Sequence, residues 1–494
     1  MSQRKFSLSA NAHKWHKRLM HVVGIQLLIW AISGLYMVSI NIHSIHGDDR
    51  VRSAAPVDVE KAIYPIDEVF KRYPELLGIK LKQILNQPYL EVRLADMPYR
   101  ALLQNAETGQ ALQSLSKAQI EQIALNRIVT DEGQAPQKIK SIELLNTLPD
   151  YVGSLKLSGK GAAYEVSFDT WDNLQFYIQA QTGEIITKRH SLWHVFDWMW
   201  RLHIMDYDDG ENVDNWLLQA SSVVALVALC AGVVLLWHRK RFLKQSSLES
   251  TPTLKRILML HKYLALIVFA QLFIWLASGL YLSAMSKPDT PTLVPPKIDW
   301  QAHMRAHTTF AQMLQDHREF LSAELHNVFA RPYILLTEEE GYHRNFASTK
   351  YLVSLLDGRS VSISQSDISA FFAQNGLKIQ DAKIIEGGES ELRGEQNRVW
   401  KVNEASDVYT YYFDAQSGQA LNTLSTEKRI YDFMLRLHFM DYWGAGHFNH
   451  FWNIVFSAAS LLLALSAFIT FILRLNKRRT YKRRFMSNTL MSNK

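Results

Sequence analysis

Gln26-Leu-Leu-Ile-Trp30-Ala-Ile-Ser33-Gly34-Leu-Tyr36 returns 245 positions later as Gln271-Leu-Phe-Ile-Trp275-Leu-Ala-Ser278-Gly279-Leu-Tyr281. The same offset carries His16-Lys17 onto His261-Lys262 without a gap. Neither copy holds a charged residue. With its leader each run is long enough to cross a bilayer, because about 20 apolar residues rising ~1.5 Å each span ~30 Å of hydrocarbon. The repeated unit therefore reads as a transmembrane helix with a His at its leading end.

A second match completes the repeat. Arg201-Leu-His203-Ile-Met-Asp206-Tyr207 recurs as Arg436-Leu-His438-Phe-Met-Asp441-Tyr442, at an offset of 235. A further apolar run follows each copy, Trp216 to Trp237 and Trp452 to Leu473. The expected architecture is membrane α plus periplasmic α+β: four transmembrane helices in two tandem helix–insert–helix repeats. The division is a tail over 1–14, helix one over 15–42, insert one over 47–190, and an interfacial segment with helix two over 191–238. A link over 239–256, helix three over 257–285, insert two over 287–428, a second interfacial segment with helix four over 429–475, and a tail over 476–494 complete it.

Charge orients this plan. Of the 494 residues 48% are hydrophobic, yet the mean hydropathy is only −0.11, because apolar spans and polar inserts average out. Residues 1–18 carry five Lys/Arg and no acid, 238–256 carry six and one acid, and 474–494 carry eight and none. The net charge of +7 is thus concentrated there, and the remainder is acidic. Lys/Arg near span ends marks the cytoplasmic side. With four spans all three basic segments fall on one side, so both termini are expected in the cytoplasm and both inserts in the periplasm of a bacterial inner membrane. The basic balance then reports membrane orientation and not nucleic-acid binding. The first apolar run is too long for a signal-peptide core and no small-residue cleavage motif follows it, so it is expected to be a retained anchor.

Within the inserts, apolar–polar alternation predicts strands at Tyr89–Leu94 and Tyr164–Phe168. Four tight turns follow strands, at Thr108-Gly109, Thr182-Gly183, Asp357-Gly358 and Ser417-Gly418. Each Gly permits the positive φ such a turn needs. Helical patterns precede the strands: Val57–Tyr73, broken near Pro65, and Ser366–Asn375. Two helix-then-antiparallel-sheet modules per insert are expected.

These modules resemble PepSY domains, and the whole chain resembles the PepSY-associated transmembrane family. The resemblance rests on His16-Lys17 and its repeat, the Ser-Gly pairs at 33–34 and 278–279, the Leu-His pairs at 202–203 and 437–438, and the four turns. Asp357-Gly358 and Ser417-Gly418 depart from the Thr-Gly form. The resemblance implies PepSY-like modules, two in each insert. It also points to haem-containing inner-membrane proteins that reduce ferric siderophores in the periplasm.

Four His obey the repeat: His16 with His261, and His203 with His438. A lone His at a helix end is more often a polar anchor. His21, His43, His46 and His238 have no repeat counterpart, and His447 and His450 stand apart in the same way. Tandem halves of two spans each are related by an axis along the membrane normal. Equivalent residues then face one another, and a porphyrin on the axis can take one imidazole from each half. At 100° per residue Trp30 lies about 40° from His16 and Gly34 is in phase with it, as Trp275 and Gly279 are with His261. A Gly there lets a macrocycle or a neighbouring helix approach, although helix packing through small residues explains the Ser-Gly pairs equally well.

Two haem b groups are therefore expected, one at each membrane face. His16, His261, His203 and His438 would be the iron ligands, Trp30 and Trp275 would lie beside them, and Arg201, Arg436, Lys17 or Lys262 would meet the propionates. The alternative for the cations is snorkelling to headgroups. The single cysteine, Cys230, excludes covalent c-type attachment and an intramolecular disulfide. No dinucleotide-binding, P-loop or H-E-x-x-H motif is present, so electrons would come from quinol or a cytoplasmic reductase. Three functions stay open: an oxidoreductase for ferric chelates, a transporter subunit, and a PepSY-based ligand-binding or protease-inhibiting membrane module. Membrane lipid is the one partner common to all three.

Overall fold

The computed structural model describes residues 2–95, 101–130, 137–146, 162–208, 210–237, 252–317, 319–339, 349–386, 390–392, 397–442 and 448–492, with side chains between 11 and 475. Most of the link, 238–251, lies outside the described residues, as do His238 and His447.

Among the described residues four helices are long and apolar enough to cross a membrane. α1 runs Ser2–Ser39, with its apolar span at Asn11–Ser39. The short α2 (Ile42–His46) follows, capped by the Asn41 side chain. The first span is expected to end at residue 42, but α1 stops at Ser39 and Asn41 caps a new helix that begins at Ile42. The polar segment before residue 15, expected as a tail, continues the same helix.

Insert one holds α3 (Ile66–Arg72) and strands β1 (Leu76–Ile84), β2 (Gln87–Leu94), β3 (Ala101–Asn105) and β4 (Ala111–Leu112). α4 (Lys117–Arg127) then leads to β5 (Ile139–Leu145), β6 (Ala163–Phe168), β7 (Gln175–Gln179) and β8 (Ile185–Arg189). α5 (Ser191–Ile204) and the span α6 (Trp216–Trp237) close the first half. The second half opens with the span α7 (Pro252–Ala284) and the single turn α8 (Phe310–Met313). Strands β9 (Ser322–Val328), β10 (Arg331–Thr337), β11 (Lys350–Ser354) and β12 (Ser360–Val361) come next. α9 (Gln365–Gln374) precedes β13 (Ile379–Ile385), β14 (Val399–Glu404), β15 (Thr410–Asp414) and β16 (Ala420–Leu424). α10 (Thr426–His438) and the span α11 (Phe451–Ser492) end the chain.

A helix followed by four antiparallel strands thus occurs four times. The turn glycines Gly109, Gly183, Gly358 and Gly418 take φ of 73°, 70°, 69° and 68°, the left-handed values a tight β-turn demands. Ahead of two of them a side-chain oxygen closes the turn. Asn105 Oδ1 accepts from the Thr108 amide at 2.9 Å, and Asp414 Oδ1 from the Ser417 amide at 2.6 Å.

The four units do not stay within their own inserts. β1 pairs antiparallel with β9, Lys80 opposite Glu324 and Leu81 opposite Ala323. The first units of both inserts merge into one eight-stranded sheet in the order β12-β11-β10-β9-β1-β2-β3-β4. Edge strands present unpaired N–H and C=O groups, and here each insert satisfies the other's edge. One face of the sheet carries a core shared by both inserts, with Ile79, Leu81 and Val92 beside Phe310, Ile334 and Leu336. On the other face two further cores join each insert's units, one around Leu103 and Phe176, the other around Leu352 and Phe372. The shared sheet puts both inserts on one side of the helical bundle. In that bundle α1 packs against α6 and α11, and α7 against the same two, so the four spans close a ring.

Candidate functional site

Inside the ring lies a cavity of about 2150 Å³. His16, His203, His261 and His438 line it, with Trp30 and Trp275. The residues that obey the repeat are thus brought together. The local geometry shows how each imidazole is held.

At the insert side, α5 and α10 deliver His203 and His438 in their last turns. The Trp30 indole donates to the His203 carbonyl at 2.8 Å, and Gln26 Nε2 to the Leu202 carbonyl at 3.4 Å. Both helices stop just past the His on a methionine with positive φ, Met205 at 56° and Met440 at 52°. The Ser33 hydroxyl donates back to the Ile29 carbonyl at 2.8 Å, and its oxygen lies 3.1 Å from His203 Nδ1. With the hydroxyl proton spent on the helix, that oxygen accepts from Nδ1–H. Ser278 does the same: it donates to the Ile274 carbonyl at 2.6 Å and stands 3.2 Å from His438 Nδ1, which also reaches the Trp275 carbonyl at 3.2 Å. A carbonyl can only accept, so Nδ1 carries the proton.

At the other end of the spans, the termini side, His16 Nδ1 lies 2.8 Å from the Ala228 carbonyl. His261 Nδ1 lies 2.9 Å from Ser466 Oγ, whose proton goes to the Leu463 carbonyl at 2.7 Å. All four rings therefore donate from Nδ1–H to an oxygen and leave the Nε2 lone pair available, which is the tautomer that ligates a metal through Nε2. Ser33, Ser278, Ser466 and Ala228 act behind the rings as those outer partners do.

The His203 and His438 rings sit 6.2 Å apart, centre to centre, at 69°. Two metal–nitrogen bonds of about 2 Å each plus two half-rings put trans imidazoles roughly 6 Å apart. The pair is spaced to hold one metal between them. Single ligand sites run about 300–1,000 Å³, so the cavity is large enough for two macrocycles. The donor set fits one bis-imidazole haem between His203 and His438, and His16 and His261 line the other end of the same cavity.

The glycines serve the imidazoles. A Cβ on Gly279 would come within 3.1 Å of His438 Cε1, and one on Gly232 within 3.2 Å of His16 Cε1. On Gly34 it would stand 3.7 Å from His203 Cε1. Gly232 and Ser466 were invisible to the repeat, because the two halves back the termini-side pair differently, one with a carbonyl and one with a hydroxyl.

The expected cations divide. Lys17 and Lys262 line the cavity, while Arg201 and Arg436 do not. Arg201 Nε donates to Asp197 Oδ2 at 2.8 Å, and its Nη1 reaches the Asp208 carbonyl. Arg436 Nε donates to the Asp441 carbonyl at 3.3 Å. Asp197 was missed, although the offset of 235 that matches the Leu-His motif also extends back to it: Phe196-Asp197 aligns with Tyr431-Asp432. Close by, Arg189 stacks on the Trp193 ring at 3.9 Å, and burial lowers its pKa to about 10.

The His outside the repeat have other surroundings. His21 lines the cavity and packs edge-on against Phe471 at 5.1 Å, with Nδ1 on the Lys17 carbonyl. His43 pairs with Asp48 at 3.3 Å, His46 ends α2, and His450 Nδ1 accepts from the Asn453 amide at 3.3 Å. Among the described residues no three His, Cys, Asp or Glu side chains form a metal-binding cluster.

Fold and site define a multi-pass membrane protein with extramembrane α+β units and a His-lined cavity between its spans. The chain belongs to the family of the PepSY-associated TM region, whose profile matches residues 89–474. No curated protein matches it.

Proposed function

We propose that this chain is a haem b-containing inner-membrane oxidoreductase that passes electrons across the membrane to ferric chelates, siderophores among them, in the periplasm. The inserts then stand in the periplasm as two pairs of PepSY-like modules, and the termini in the cytoplasm. One observation carries the reading: four repeat-related imidazoles line one cavity, and each is held through Nδ1 so that Nε2 is free. A helix anchor needs no such uniform tautomer. Two neutral imidazoles per iron supply one-electron transfer and leave no coordination position for substrate.

The chain's own residues do the rest. His203 and His438 hold the periplasmic-side group, and His16 and His261 the cytoplasmic-side one. Ser33, Ser278, Ser466 and the Ala228 carbonyl fix the ring orientations and accept the Nδ1 protons. The apolar walls, with Trp30 and Trp275, keep water from the space between the two sites. The acceptor is reached from the insert side and needs no covalent attachment.

An absorption spectrum of the detergent-purified protein tests this. A low-spin b-type spectrum with two haems per chain, fully extracted by acid–acetone, is expected. His203→Ala should remove about half the haem and abolish chelate reduction, while the remaining haem stays reducible. A colourless protein after expression with ample haem, or unchanged stoichiometry in His203→Ala, would overturn the assignment and return the transporter or ligand-binding readings.

A further inference from the structure

The termini-side mouth of the cavity carries several cations, and among the described residues no Asp or Glu lines it there. Lys17 on α1, Lys255 on α7 and Arg474 on α11 line it beside His16 and His261, with Lys262. Among the described residues the one carboxylate lining the cavity is that of Asp197, on α5 at the opposite end. The side chains of Lys17, Lys255 and Arg474 make no hydrogen bond or ion pair among the described residues. The sequence offers little else: residues 1–18 and 474–494 contain no Asp or Glu, and 238–256 only Glu249.

Cations on the wall of an apolar cavity are stable when an anion meets them. Snorkelling to lipid phosphate would serve cations that point outward from the ring. These three come from three different helices, and all three line the cavity inside the ring. What they can share is a ligand with paired oxyanions between the helices.

We propose that Lys17, Lys255 and Arg474 form the seat for the two carboxylates of the macrocycle held by His16 and His261, so that its acid edge faces the cytoplasm. The proposal rests on the haem reading above and adds an orientation to it. Arg201 and Arg436 stand at the opposite end, on the helices that carry His203 and His438, and take no part in this seat.

The test compares haem with its dimethyl ester, which keeps the iron and the ring but has no carboxylates. The full-length apoprotein is titrated with each and followed by Soret absorbance. His203→Ala isolates the termini-side site, and stepwise titration of the unaltered chain serves should that variant not fold. The ester should bind this site on the order of tenfold or more weakly than haem, as expected for lost charge-assisted contacts. Lys255→Gln with Arg474→Gln should shrink that difference while the ester's own affinity stays unchanged. The preference should persist in vesicles of phosphatidylcholine with or without phosphatidylglycerol. Equal binding of haem and ester overturns the seat alone. A preference abolished by phosphatidylglycerol assigns the cations to lipid phosphate and overturns it too. If neither compound binds, the haem reading falls and the seat with it.

Discussion

A serine whose hydroxyl donates to the carbonyl one turn back is the smallest device in this protein. In Ser33 and Ser278 the hydroxyl proton is used inside the helix, which turns the oxygen into an acceptor for a neighbouring imidazole. The adjacent glycines make room for the ring, but not equally. Gly34 leaves 3.7 Å to His203, an ordinary contact, whereas Gly279 leaves 3.1 Å to His438. Repeat-equivalent substitutions should therefore differ. Gly34→Ala should be neutral or stabilising by up to about 1 kcal/mol, the helix-propensity gain. Gly279→Ala should cost about 1–2 kcal/mol, because the imidazole must move. Thermal unfolding in detergent distinguishes them, and equal effects would contradict the asymmetry.

α5 and α10 are elements whose two ends are both specified. Met205 and Met440 close them with left-handed backbone, a conformation that costs a non-glycine residue about 1 kcal/mol. Both side chains are buried, at 8% and 4% exposure, and burying a Met is worth about 1.5–3 kcal/mol. Packing outweighs strain, so Met205→Gly should destabilise by about 1–2 kcal/mol even though it relieves the backbone. A more stable Met205→Gly protein would show that the side chain contributes nothing. At the start of α5, His190 Nε2 donates to the Ser44 and Ile45 carbonyls at 2.9 and 3.1 Å, tying the helix to the end of α2. Burial lowers the His190 pKa, against the pull of Asp172 and of those carbonyls. The folded form therefore binds a proton less readily than the unfolded one. The stability from neutral His190 is present above the unfolded value of about 6.5 and is lost as pH falls below it. Unfolding monitored between pH 7.5 and 5 should show this loss, and His190→Gln should flatten it.

At the scale of the molecule, the two inserts act as one body because β1 and β9 share a ladder. Opposed positions in an antiparallel ladder stand about 4.5–5.5 Å apart, within the range a disulfide bridges. Lys80→Cys with Glu324→Cys should therefore oxidise to a bond between the inserts. Cys230 lies far off in α6 and does not compete. Cleavage in the link would leave the halves joined without reductant and separate with it. Failure to cross-link would deny the shared sheet. Spontaneous formation in cells would also place the inserts in an oxidising compartment. Reporter fusions after residues 120 and 360 test the same orientation, and a cytoplasmic signal from either contradicts it.

What the sequence determined by itself was whatever leaves a local or periodic trace. Apolar runs of bilayer length, two constant offsets, four turn glycines and the basic segments lead to four spans and to the four His that obey the repeat. The structure then brings those His to one cavity. Other features belong to the tertiary structure alone. The β1–β9 pairing joins positions more than 200 residues apart, and an edge strand's N–H and C=O groups do not encode which strand completes them. The Ala228 carbonyl behind His16 has no side-chain identity to read, and Ser466 behind His261 has no repeat partner doing the same task. Arg201 and Arg436 read as propionate partners although each has an acid one helical turn back, Asp197 and Asp432. Folding the helix and its following turn brought Asp197 and the backbone carbonyls of Asp208 and Asp441 to their guanidiniums. Backbone acceptors carry no side-chain identity and are brought into place only as the chain closes on itself, which is why the four His were legible and the groups that hold them were not.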